Sequence, residues 1–110
     1  MEVGSTGKEP LTVIDNKDEQ QYELHADGEV AVLTYERHGK RIFFLHTGVP
    51  PALEGQGIAS LLARTALDNA RAEALEVVPL CPYVAAYIRR HREYLPLVSA
   101  EHQARLLAEE

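Results

Sequence analysis

The chain has 110 residues, of which 45% are apolar and 25% charged, with a formal net charge of -6. That length suits one domain, and the composition is that of a globular chain. The acidic balance argues against a nucleic-acid partner, which needs a clustered basic surface.

Met1 to Pro10 is polar and lacks the apolar core of a signal peptide. Residues 1–10 therefore read as a short flexible lead-in, 11–98 as the domain and 99–110 as a helical tail. Thr12 to Ile14 is a short strand, stopped by the turn-prone Asp15-Asn16. Gln21 to Ala26 is a second strand. Asp27-Gly28 then gives a two-residue hairpin turn, because both positions tolerate positive φ. Glu29 to Glu36 is a third strand and His38-Gly39 another turn. Arg41 to Val49 (RIFFLHTGV) is a fourth strand, apolar on both faces and so central. These four segments make an antiparallel meander. Pro50-Pro51 ends it, since proline cannot donate to a ladder.

After Gly57, the residues Ile58, Leu61, Leu62, Thr65 and Ala66 recur at helical spacing, giving an amphipathic helix to about Ala74. Glu76 to Leu80 is a fifth strand. Pro82 opens a second helix, with Tyr83, Val84, Tyr87 and Ile88 on one side, ending near Arg92. Ser99 is placed to cap a last, mostly polar helix. A helix between the fourth and fifth strands is a crossover, which lays those strands parallel. The fold class is α+β. No stretch approaches the roughly 20 apolar residues of a membrane span. The single cysteine, Cys81, forms no internal disulfide, so a reduced, cytoplasmic setting is expected.

The segment Glu54-Gly55-Gln56-Gly57-Ile58-Ala59-Ser60 joins a strand to a helix. Its glycines let several N–H groups point one way, and the helix N-terminus adds free donors. A plain tight turn is the alternative reading of that motif alone. It is not a P-loop, and it lacks the third glycine of the dinucleotide fingerprint. The run Arg89-Arg90-His91-Arg92 reads either as a solvated helix end or as a local patch for an anionic ligand. No His, Cys or Asp spacing suggests a metal site.

Four motifs occur in order: His46-Thr47-x-Val49-Pro50, Gly55-x-Gly57-Ile58-Ala59, Pro79-x-Cys81-Pro82-Tyr83-Val84 and His91-x-x-Tyr94. With the meander, glycine turn, helix and short strand, they resemble the GNAT acetyltransferases, and one small subfamily most closely. The resemblance covers roughly Ile14 to Val98. Glu54 stands where Arg or Gln is usual, and Gly48 where a larger residue is more familiar.

The resemblance implies a minimal GNAT-like fold whose fourth and fifth strands splay around acetyl-coenzyme A. The pantetheine arm would pair with the backbone of Thr47, Gly48 and Val49. Residues Glu54 to Ser60 would hold the pyrophosphate. Arg89 or Arg90 is expected to contact a further phosphate, because the helix that carries them begins beside Cys81. His46, read by strand alternation onto the face of Ile42 and Phe44, is the candidate base; a satisfied core histidine is the alternative. Cys81, before the second helix, is implied to line the acetyl end. It either takes the acetyl group as a thioester, with His46 as its base, or only shapes the site while the amine attacks directly. Direct transfer is usual in the wider superfamily. Tyr83 and Tyr87 are alternative proton donors to the coenzyme A thiolate.

The expected function is acetyl transfer to a small-molecule, peptide or protein amine by a monomer. A non-catalytic acyl-coenzyme A binding domain is the alternative. A Cys–His hydrolase is a third reading, for which no orienting third group is evident.

Overall fold

A computed structural model describes residues 11–108; the expected lead-in lies outside them. The elements run β1 (Val13–Asn16), β2 (Gln21–Ala26), β3 (Glu29–His38), β4 (Arg41–Gly48), α1 (Ile58–Ala72), β5 (Glu76–Pro79), α2 (Pro82–Arg90) and α3 (Ala100–Ala108). Short 3-10 turns occupy Pro51–Leu53 and Arg92–Leu97. The five strands form one sheet in chain order, antiparallel from β1 to β4 and parallel between β4 and β5. The α+β class, the meander and the parallel crossover are all present.

Asp15 and Asn16 do not end β1 but belong to it, opposite Tyr22 and Gln21. Their side chains hold them there: Tyr35 donates its hydroxyl proton to Asp15 at 2.6 Å, and Asn16 donates to Glu23 at 2.9 Å. The hairpin between β2 and β3 turns as its sequence requires, with Asp27 and Gly28 both at positive φ.

One face of the sheet carries the core. Leu24, Leu33, Phe44 and Val77 pack with Leu62 and Leu67 of α1 and Val84 and Ile88 of α2. Leu106 of α3 joins the same cluster, so the C-terminal helix is fastened to the domain. Gln103 secures it further by donating to the carbonyls of Leu95 and Val98.

A β-bulge in β4 decides which way its end faces. Tyr35 lies opposite Phe44, but Thr34 lies opposite His46, which leaves Leu45 as the extra residue. The alternation therefore slips by one at Leu45. Thr47, opposite Leu33, takes the core side, while His46, opposite Thr34, takes the helix-free side. The expectation that His46 shares a face with Ile42 and Phe44 is thus overturned: unbroken alternation was assumed, and the bulge breaks it.

Candidate active site

The sheet opens where β4 and β5 part. Their ladder ends at Phe44 opposite Pro79. Pro79 has no N–H to extend the pairing, and the Leu80 amide turns back to the Val78 carbonyl at 3.1 Å. One last link follows, from the Cys81 amide to the Phe44 carbonyl at 2.8 Å, before Pro82 starts α2. β4 continues on β3 to Gly48 with its other edge free of β5. The parallel strands diverge as the resemblance implied, and the two prolines are the local cause.

The glycine loop stands at this opening. Gly55 and Gly57 have φ of 86° and 76°, and a Cβ built on either meets nothing within 4 Å. Backbone conformation, not crowding, therefore calls for glycine at both. Gly57 is the N-cap of α1 and offers no side chain to cap it, and no acidic residue occupies the first turn. The first helical bond joins the Leu61 amide to the Gly57 carbonyl at 3.0 Å. The amides of Ile58, Ala59 and Ser60 precede it and are the free donors of the helix end. The loop borders a cleft of about 170 Å³ lined by Val49, Leu53, Glu54, Gly55, Gly57, Ile58, Ala59, Ser60 and Tyr83. Gln56 is exposed and does not line it.

Cys81 is only 2% exposed. Its Sγ lies 3.2 Å from Thr47 Oγ1, a hydrogen bond across the diverging strands. Sequence reasoning paired Cys81 with His46; the structure pairs it with Thr47 and places His46, exposed, on the other face. His46 instead lies along its own strand, with Nε2 3.3 Å from where a Cβ on Gly48 would stand. The Thr34 hydroxyl donates to the His46 carbonyl at 3.4 Å.

The two candidate tyrosines separate. Tyr83 lines the cleft. Tyr87 is buried, its ring 4.1 Å from that of His91 and 6.1 Å from that of Tyr94, and it does not border the cleft. Tyr94 is tied to α1 through a 2.7 Å bond to Asp68, and burial with that acceptor raises its hydroxyl to about 12. These contacts set α2 beside α1 with both N-termini at the cleft. Arg89 and Arg90 close α2, about 10 Å beyond Pro82 at the rise of a helix. Neither is among the residues that line the cleft.

Leu53 and the side chain of Thr47 are the site features that sequence reasoning missed. Leu53 is buried just before the glycine loop, an apolar residue between prolines and glycines that signalled packing without saying where. Among the described residues, no group of three or more His, Cys, Asp or Glu is placed to hold a metal ion.

A family model described as GCN5-related N-acetyl-transferase matches residues 21–97, a span that contains every site residue named above. Protein NATD1 of Mus musculus is 39% identical over 85 residues, covering 74% of this chain and 77% of that protein. Protein NATD1 of Homo sapiens is also 39% identical over 85 residues, covering 74% and 75%. Protein NATD1 of Danio rerio is 36% identical over 90 residues, covering 77% and 82%. The solution structure of a GCN5-like candidate N-acetyltransferase from Staphylococcus aureus superposes with a TM-score of 0.64 over 81% of this chain and 88% of that one, at 23% identity.

Proposed function

Because the chain belongs to the GCN5-related N-acetyltransferase family, we propose that it transfers acetyl from acetyl-coenzyme A to an amine, without a covalent enzyme intermediate. The observation that carries this reading is the gap between β4 and β5, bordered at one end by the uncapped start of α1.

The residues present fit the cofactor. The amides of Ile58, Ala59 and Ser60 would hold its diphosphate, helped by the positive end of the helix. The free edge of β4 at Thr47 and Gly48 offers backbone groups to an extended amide chain. Glu54 is the one charged residue lining the cleft, and its charge opposes a diphosphate. Bound acetyl-coenzyme A supplies the activated thioester.

His46 stands on the open face of the sheet and takes the proton of the incoming amine. Thr47 and Cys81 close the gap from the core side. Tyr83, on the cleft, gives the proton that the leaving thiol needs. Direct transfer is supported over the thioester route by the surroundings of Cys81: its thiol is buried, bonded to Thr47, and separated by the sheet from the base that would have to deprotonate it.

Incubation with acetyl-coenzyme A alone, acid quench and intact-mass analysis tests this. No acetyl adduct is expected, and thiol release is expected only once an amine is supplied. A stoichiometric adduct on Cys81, discharged by amine at a competent rate, would overturn direct transfer. Binding without turnover across primary amines, peptides and proteins would make the chain an acyl-coenzyme A binding domain.

A further inference from the structure

Five of the described residues are glycines, and four of them share one explanation. Gly28, Gly39, Gly55 and Gly57 all have positive φ, and a Cβ on any of them meets nothing within 4 Å. Gly48 is the exception on both counts. It is a strand residue outside the positive-φ region, paired with Val32, so its backbone accepts any side chain. Glycine inside a strand weakens the strand and gives it nothing to pack. What the missing side chain provides is room. A Cβ at position 48 would stand 3.3 Å from His46 Nε2, 3.8 Å from His46 Cδ2 and 3.9 Å from Val32 Cγ2.

The Leu45 bulge turns His46 onto the helix-free face, and residues two apart on a strand share a face. The imidazole therefore folds along β4 over the bare backbone of Gly48, in a slot walled by Val32. We infer that Gly48 is a positioning residue: by having no side chain, it leaves the His46 ring room to lie along β4 on the helix-free face. This rests on the proposed role of His46 as the base. Gly48 touches no reacting atom; its backbone groups stay available to the cofactor, and its missing side chain acts through His46. An exposed histidine without such a slot would spread over several rotamers, and a base must be held in one to meet its proton.

The test is Gly48→Val, with Gly48→Ala as a milder second variant. Valine suits a strand, so the thermal midpoint should hold or rise while kcat falls. The expected loss is about tenfold or more for valine, the scale that displacing a catalytic group by roughly 1 Å produces, and less for alanine. KM for acetyl-coenzyme A and its calorimetric affinity should change by less than kcat does, since the substitution leaves the backbone groups of position 48 in place and adds its side chain on the His46 face. Most of the loss should vanish when Gly48→Val is made in a His46→Ala background. In the free protein, NMR should show the ring-proton signals of His46 shifting in both variants, while those of the other histidines stay.

Unchanged His46 signals would remove the slot. Shifted signals with full kcat would show that the slot does not serve catalysis. A loss of kcat matched by an equal loss of coenzyme A affinity would show that the room at Gly48 serves the cofactor and not His46. If His46→Ala itself is fully active, the base assignment fails, and the shifted ring then marks a structural contact only.

Discussion

His46 and Thr47 are consecutive residues on opposite faces of β4, and the proposed roles divide between them. Thr47 holds the Cys81 thiol on the core side, and His46 faces solvent. Cys81→Ser keeps a group of similar size beside Thr47 and should retain a substantial part of kcat. His46→Ala should lose about 100-fold, the usual contribution of one general base; steady-state rates with a good amine acceptor check both. The identities of these residues were legible in the sequence. Their faces were not, because a bulge has no signature in apolar alternation, and one extra residue reverses everything beyond it. Glu23, only 7% exposed on the helix-free face, makes a separate residue-level prediction. Hydrogen bonds from Gln21, His25 and Asn16 lower its carboxyl from 4.5 to about 2. A lowered folded-state value means stability present in full above 4.5 and lost as pH falls toward 2. Thermal unfolding of the wild type should therefore steepen in that window, and Glu23→Gln should remove the extra slope. A wild type as flat as the variant would contradict the bonding described.

At the scale of elements, the join from β4 through the glycine loop into α1 is the working part. Gly57→Asp places a carboxylate beside the Ile58, Ala59 and Ser60 amides. It should weaken coenzyme A by about an order of magnitude through close-range repulsion, and lower the thermal midpoint because a side chain at φ 76° is strained, with the fold retained; calorimetry with circular dichroism measures both. Glu54→Gln should do the reverse and tighten coenzyme A by roughly two- to fivefold, the range of an exposed charge interaction. For the same reason, moderate salt should raise affinity in the wild type and barely alter it in Glu54→Gln. The loop was legible because positive φ leaves a mark in sequence, namely glycine. That Arg89 and Arg90 do not line the cleft was not, since they close a helix whose first turn alone reaches it. The choice between Tyr83 and Tyr87 likewise waited on packing: the rings of His91 and Tyr94 enclose Tyr87.

At the scale of the whole molecule, the sheet order follows from few sequence facts. A long helix between β4 and β5 forces a parallel crossover, and short turns between the earlier strands force a meander. Among the described residues, no helix is long and apolar enough to cross a membrane. The fastening of α3 was hidden because it depends chiefly on Leu106, the one buried residue of that helix. The same topology places both helix N-termini and the free edge of β4 around one opening, and acetyl-coenzyme A binding there is the central claim. Titrating the labelled protein with acetyl-coenzyme A, while following every backbone amide by NMR, tests it most directly. The largest shifts should fall on Ile58, Ala59 and Ser60 and on Leu45 to Gly48, with Arg89 and Arg90 little affected. Saturating acetyl-coenzyme A that leaves those amides unmoved, or shifts centred elsewhere on the domain, would contradict the account.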